Sequence, residues 1–600
     1  MIIIGQIDII NKCMTNFICK HCDNLECETS VCPVCGRRAE LIKQELYYCN
    51  NCQTPVFDKK CSLCGSECSY IGTDCRPVFP TERLLLEILQ DKIGLYKKSS
   101  IWNAGANHYI IDGVKKNIPL NKLKENFLTE DLINKLKENN PSLACSEFLK
   151  SKSILNFVKA NAMHLNKITF EAIDYIKQKT KDKSNDEMFV SFSGGKDSTV
   201  VSDLVRKALG NDIIHIYGDT SIEYPYTYQY IDEFKKTNKN TPFLVAKNKE
   251  QDFYSLCKVI GPPARMLRWC CTVFKTGAIT KKIESTFGDS KKIIVFQGIR
   301  RNESESRKNY ERSSESSKIK KQIAIMPIID WLDADVWLYI LSNNLKFNKA
   351  YELGFSRVGC WCCPNNSQWS GFLSSIYMND EYKKFTDILY DFAKKTGKTN
   401  IKEYVEAGEW KKRQGGIGIN ISRNTVVSYK PCVLEENTFN YNLKRPISEK
   451  LYVLFIPFGI LNFDIGNKVN NEVYVLDRKS GLPILRISGR IGTTDLKISI
   501  LNNIGAFKDI QKGELYLKYQ INKYQMCIGC SGCSQTCKQG AISIHNEDKN
   551  NVSTDNIEYF ISDKKCIGCL ECVSHYPGGC YLNKVLKIRR DTYKKMENIG

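Results

Sequence analysis

The sequence predicts a multidomain α/β protein. A doubly wound parallel sheet lies at its centre, cysteine-rich modules lie at both ends, and a small β domain precedes the second of them. Three observations carry this reading. The stretch "MFVSFSGGKDSTVV" at 188–201 reads as strand, glycine turn and amphipathic helix, and it opens a segment where strand and helix patterns alternate. Of 28 cysteines, twelve precede residue 76 and eight follow residue 526, mostly as Cys-x-x-Cys pairs. A chain of 600 residues is also too long for one core.

Residues 1–76 form a cysteine-rich head. Its first twelve residues lack a basic region and a small-residue cleavage site, so they read as a strand and not a signal peptide. The longest apolar run, Leu451 to Leu461, is too short to span a bilayer. Both points lead to the expectation of a cytoplasmic protein. There, paired cysteines mean metal more often than disulfides. Cys19/Cys22, Cys32/Cys35, Cys49/Cys52 and Cys61/Cys64 supply eight soft ligands, enough for two tetrahedral zinc sites. Pairing in chain order gives zinc-ribbon loops. A crossed pairing of Cys32/Cys35 with Cys49/Cys52, and iron as the metal, stay open.

Residues 77–185 form a mixed accessory region, with a helix in "TERLLLEILQDKI", a hairpin through Asp112-Gly113 and a helix ending in "TFEAIDYIKQKT". Residues 186–380 are the α/β domain. "EMFVSFS", "DIIHIYGD" and "KIIVFQGI" are near-continuous apolar runs, as parallel strands buried on both faces require. The polar, aperiodic run "RRNESESRKNYERSSESSKIKKQ" reads as a lid. Residues 381–437 form a helical linker. Residues 438–520 read as a β domain that includes a strand in "LYVLFIPFGIL", and residues 521–600 carry the last cysteines.

The formal charge of +21 invites nucleic acid as a partner. Metal-bound thiolates reduce that signal. Five four-cysteine sites at about −2 each bring it to roughly +11. The lysines are dispersed among asparagines, as on a solvated surface.

Ser193, Gly194, Gly195, Lys196, Asp197 and Ser198 follow the first strand. Glycines let the backbone approach an anion, and the helix start adds free N–H groups and a positive dipole end. The spacing is not that of a P-loop kinase. A lysine that only reaches for phosphate should be removable without unfolding the protein. Asp219 ends the next strand, where it serves as a nucleotide contact or as a turn cap. Gly298, Arg300 and Arg301 follow the third strand, and with Arg307 they can clamp phosphate or sulfate. Cys527, Cys530, Cys533 and Cys537 have the C-x2-C-x2-C-x3-C spacing of bacterial two-cluster ferredoxins. In that pattern the fourth cysteine serves the other cluster. The expected sets are therefore Cys527, Cys530, Cys533 and Cys580, and Cys566, Cys569, Cys572 and Cys537. Lys538 stands where proline is usual, and seven residues precede Cys580 instead of three.

"SGGKDS" resembles the pyrophosphate loop of the ATP-pyrophosphatase superfamily, whose domains have the adenine nucleotide alpha hydrolase-like fold. "GDTSIEYPYT", "RWCCTVFKTGAI", "GIRRNESESR", "MPIIDWLDADVWLYI" and "SRVGCWCCPN" resemble, in order, the phosphoadenosine phosphosulfate reductase family. The resemblance implies an adenine nucleotide, ATP or an adenylyl compound with Mg2+. It also implies a third 4Fe–4S cluster on Cys270, Cys271, Cys360 and Cys363, with zinc as the alternative there. Cys362 is left over as a candidate reactive thiol, because the family's Glu-Cys-Gly-x-His nucleophile motif has only a superficial echo in "ECVSH" at 571–575. Two enzymatic readings follow. One is an iron–sulfur oxidoreductase that acts on an adenylylated sulfate. The other is an adenylylating transferase that cleaves ATP, either thiolating a nucleic acid or small molecule or adenylylating sulfate, since an intact loop goes with ATP in this superfamily. A non-catalytic assembly module is the third reading. The electron donor is not legible.

Overall fold

This computed structural model describes residues 17–27, 32–37, 39–42, 44–139, 144–265, 267–288, 292–305, 307–315, 322–412, 428–546, 557–576 and 580. The expected N-terminal strand, Cys13, residues 316–321 of the expected lid and the tail beyond Cys580 lie outside them.

The central domain is a six-stranded sheet. Its elements are β1 (Met188–Phe192), α1 (Lys196–Leu209), β2 (Ile214–Asp219), α2 (Pro225–Thr237), β3 (Phe243–Lys247), α3 (Phe253–Ile260), α4 (Gly277–Phe287), β4 (Ile293–Phe296), β5 (Ser313–Ser314), β6 (Gln322–Ile325) and α5 (Asp333–Ser342). The strand order is β3-β2-β1-β4-β6-β5, parallel except for the short antiparallel β5. Side-chain alternation explains the two layers. Met188, Val190, Ile294 and Phe296 face one core with Val200, Val201, Leu204 and Trp337. Phe189, Ile216 and Val295 face the other with Ala278, Ile283 and Phe287. The chain order reverses between β1 and β4, and a doubly wound sheet binds ligands at the carboxyl ends flanking such a point.

The head folds as two small antiparallel units, each around one cysteine group. The helix Pro80–Leu89 and the hairpin His108–Ile111/Val114–Asn117 stand where the sequence places them, with Asp112 and Gly113 both at positive φ. Part of the expected lid is built into the sheet, since Ser313 and Ser314 pair with Ile325 and Ala324.

The antiparallel sheet after the linker begins at Ser428, earlier than expected, and its last strand ends at Ile500. Two expectations fail here. "LYVLFIPFGIL" is a helix over Glu449–Val453 and a turn, with a strand only at Ile460–Asn462. Its side chains Leu451, Tyr452, Leu454, Phe455 and Phe458 are all buried, and an apolar run buried all round has no period that distinguishes helix from strand. The end of the expected β segment is the helix Ile510–Met526. That helix, the sheet and the last two strands share one apolar core, so the β domain is the platform on which the C-terminal module sits. Among the described residues no helix is long and apolar enough to cross a membrane.

Candidate functional site

The turn after β1 closes on itself. Gly194 takes φ +71°, a conformation open to glycine. The Ser193 N–H donates to Ser198 Oγ at 3.2 Å, and the Ser198 hydroxyl donates to the Gly195 carbonyl at 2.9 Å. The turn after β4 packs directly on it. A Cβ at Gly298 would lie 2.7 Å from the carbonyl carbon of Asp197, so only glycine allows the two loops to meet. The Lys196 N–H donates to the Tyr351 hydroxyl at 2.9 Å.

Lys196 does not project from this turn. It is 3% exposed, and its Nζ lies 3.1 Å from Asp197 and 3.0 Å from Asp333. Arg300 bridges the same two carboxylates at 2.6 and 2.7 Å. The result is a buried square of two cations and two anions. Burial pushes the Asp197 carboxyl up, but the Arg300 guanidinium and the Lys196 ammonium outweigh it and hold the group at about 2.

A fifth group comes from the head. Asp74 accepts from the N–H groups of Asp333 (3.0 Å) and Ala334 (3.1 Å) at the start of α5. Burial and the nearby Asp333 push its carboxyl up to about 7, against the pull of Arg300. A carboxyl raised on folding favours the native state below its unfolded value near 3.9, and that contribution is lost as pH rises through about 7. Asp74→Asn should therefore flatten the rise in stability on acidification between about pH 7 and 4, measured by urea unfolding across that range.

The remaining predicted residues spread around this centre. Asp219 is buried and satisfied locally. It accepts from Ser221 N–H at 2.8 Å and Tyr228 Oη at 3.0 Å and pairs with Lys247 at 2.8 Å, so it caps its turn. Arg301 pairs with Asp330 and donates to the Tyr310 carbonyl. Arg307 pairs with Glu303, and burial together with the neighbouring Arg357 guanidinium lowers its affinity for a proton. Sequence reasoning missed Asp333, Tyr351, Arg357 and Asp74. The acidic start of "DADVW" was a usable signal for Asp333 as a helix-start residue, whereas nothing local marks Asp74.

The central cysteines lie beyond β2. Residue 223 bridges to residue 360, and the Trp361 N–H donates to the Ile222 carbonyl at 3.0 Å. Cys360 Sγ lies 3.3 Å from Thr220 Oγ1 and 3.6 Å from Glu223 Oε1. Cys270 and Cys271 open a π-helical turn over Cys271–Thr276. Cys270, Cys271, Cys360 and Cys362 fall in or against one apolar cluster, and Arg268 and Arg357 face Cys363. The surroundings of Cys362 oppose a nucleophilic role. It is 5% exposed, and burial, then Cys360, Cys257 and Cys363, push its thiol well up.

In the head, the sulfurs of Cys19, Cys22, Cys32 and Cys35 lie within 4.8 Å of one another, as do those of Cys49, Cys52, Cys61 and Cys64. The pairing follows chain order. Backbone N–H groups of Cys35 and Val34 lower the Cys32 thiol to about 6, and Ser66 lowers Cys64 to about 6. One thiolate in each set is thus available to a metal near neutrality. Hydrogen bonding from Cys35 and burial push Cys22 up to about 12, and burial raises Cys19, Cys49 and Cys52, so those donors ionise on binding the metal.

In the C-terminal module, Cys527, Cys530, Cys533 and Cys580 line one cavity, which unites the expected crossed set. The two "CIGC" loops share a backbone signature. Gly529 and Gly568 have positive φ, as do Ser531 and Leu570 after each second cysteine, and a short helix follows each. Burial pushes Cys527 to about 11 and Cys530 and Cys572 to about 12, so these donors need a metal's charge to ionise.

Comparison with known proteins accords with this geometry. Residues 187–366 match the phosphoadenosine phosphosulfate reductase domain, and residues 526–579 match the 4Fe-4S dicluster domain. An uncharacterized protein of Methanocaldococcus jannaschii is 33% identical over 257 residues, covering 42% of this chain and 51% of that one. A second from the same organism is 32% identical, covering 42% and 59%. The chain thus spans little more than half the length of these two curated relatives. An adenosine 5'-phosphosulfate reductase of Shouchella clausii is 23% identical over 213 residues, 32% of this chain and 83% of that one. The phosphoadenylyl-sulfate reductase of Candida auris, in a phosphate complex, superposes with a TM-score of 0.24 at 19% identity, covering 32% of this chain and 94% of that one, too weak to carry weight. The chain joins a phosphoadenosine phosphosulfate reductase domain, behind a zinc-ribbon-like head, to a C-terminal 4Fe-4S dicluster domain.

Proposed function

We propose that this protein reduces an adenylylated sulfate, with electrons supplied through its own iron–sulfur module. The observation that carries the reading is the docking of that module. Its helix Gly532–Thr536 packs on α4 and on the π-turn that bears Cys271, and Cys530 and Cys580 join the apolar cluster that holds Cys270, Cys360 and Cys362. Gln251 donates to Ser531 Oγ at 2.7 Å, and Lys538 pairs with Glu284 at 2.8 Å across the same contact. A cysteine site for electron transfer is thereby packed against the cysteines beside the nucleotide edge.

In the reaction, adenylyl sulfate and two electrons give AMP and sulfite. The sulfur–oxygen bond to the phosphate breaks, the bridging oxygen leaves with AMP, and sulfur takes the electron pair. Iron–sulfur groups supply one-electron transfer when bound. The chain's own residues do the rest. The Ser193–Ser198 turn and the start of α1 would receive the nucleotide phosphate. Arg307 and Arg357 would offset the sulfate charge. Lys196, Asp197, Arg300 and Asp333 would hold the two loops in register beneath it. Cys270, Cys271, Cys360 and Cys363 would bind the third cluster and the head would bind zinc. About twelve iron and about two zinc atoms per chain are expected by metal analysis, and about eight and about three would move the central site to zinc.

The intact Ser193–Ser198 turn favours a second reading, adenylylation with release of pyrophosphate from ATP. The anaerobically purified chain should be offered ATP, adenylyl sulfate and phosphoadenylyl sulfate in turn, with a low-potential one-electron reductant. Sulfite from either activated sulfate is the expected result. Pyrophosphate from ATP alone would replace this reading with the transferase.

A further inference from the structure

Lys523 sits in the last turn of the helix that leads into Cys527. It is 1% exposed. Its Nζ donates to the Cys572 carbonyl at 2.8 Å and stands 5.8 Å from the centre of the Tyr559 ring. The same side chain lines the cavity formed by Cys527, Cys530, Cys533 and Cys580. The ammonium therefore bonds to the carbonyl of one cysteine set's Cys572, in the short helix Glu571–Ser574, and Lys523 borders the cavity of the other set. Among the described residues no carboxylate forms an ion pair with it, whereas Lys196, equally buried, has two. A buried ammonium without a counter-ion is strongly disfavoured. The negative charge at hand is that of the cysteine sites, each about −2 when a 4Fe–4S group is oxidised and about −3 when it is reduced.

We propose that Lys523 is the shared counter-charge of the two cysteine sites of the dicluster domain, a fixed cation that favours the reduced form of both groups and raises both midpoint potentials. The charge lies inside the module, so both groups hold electrons more readily than they would in the same fold with a neutral residue there. This holds whichever substrate the central domain takes.

The test is an anaerobic redox titration of the full-length holoprotein, followed by electron paramagnetic resonance. Lys523→Met removes charge and hydrogen bond together. Lys523→Gln keeps a donor for the Cys572 carbonyl and removes only the charge. Both midpoints should move to lower potential in each variant, at unchanged iron content. Unchanged midpoints, or movement of only one, overturns the shared counter-charge. If the neutral variants fail to retain iron, Lys523→Arg decides. Iron kept only when the charge is kept supports the proposal, and iron lost in all three variants overturns it in favour of a packing role.

Discussion

Replacing Lys196 with methionine is expected to destabilise the central domain by about 3–5 kcal/mol, the cost of breaking a buried ion pair by removing one partner. Read from the sequence, Lys196 is a phosphate ligand that can be removed without unfolding. In the fold it is one corner of a square with Asp197, Arg300 and Asp333. Without it, two buried carboxylates face one guanidinium, with Asp74 close behind. The loss should depend on pH. Asp197, held at about 2, gives stability that is complete above its unfolded value near 3.9 and is lost as pH falls through about 2. Much of that stability comes from Lys196 and disappears with it. The gap between wild type and variant should therefore be widest near neutrality and narrow from about pH 4 to about pH 2. Urea unfolding at several pH values reads this. A variant that loses nucleotide binding with its unfolding midpoint unchanged would return Lys196 to the role of a ligand.

This case shows what was legible in the sequence. The runs at β1, β2 and β4 could be read because both faces of those strands are buried, so nearly every residue is apolar. β3 was missed because it is an edge strand with most of its side chains partly exposed. β6 was missed because it follows a long polar run and opens on Gln322. The glycine turn and Arg300 could be read because a local pattern specifies them. Asp74 could not, because its partner Asp333 lies 259 residues away and only the tertiary fold joins them. The head cysteine pairs were the most legible feature, since ligand spacing is fixed by the metal's geometry and not by the rest of the chain. The position of the C-terminal module on the central domain left no mark in the sequence.

That position supports the second large effect. Gly277 opens α4, and a Cβ there would meet Gln535 Cβ at 2.7 Å and the Thr272 carbonyl at 2.8 Å. Gln535 belongs to the short helix between Cys533 and Cys537, so it cannot withdraw without shifting the loop that carries both. The contact is also flanked by the Gln251–Ser531 hydrogen bond and the Lys538–Glu284 ion pair, which fix its register. Gly277→Leu should therefore force the module away from the π-turn of Cys271. If the central cysteines receive their electrons across this contact, sulfite formation should fall by more than about tenfold, or about 1.4 kcal/mol of added barrier. Nucleotide binding should persist, because the turn after β1 lies outside the contact, and the rate is read per iron bound, because Cys530 and Cys580 border it. Gln535→Gly removes the opposing Cβ and should restore part of the rate in the double variant. Full activity in Gly277→Leu, with the module shown by limited proteolysis to be undocked, would mean that electrons reach the nucleotide edge by another way.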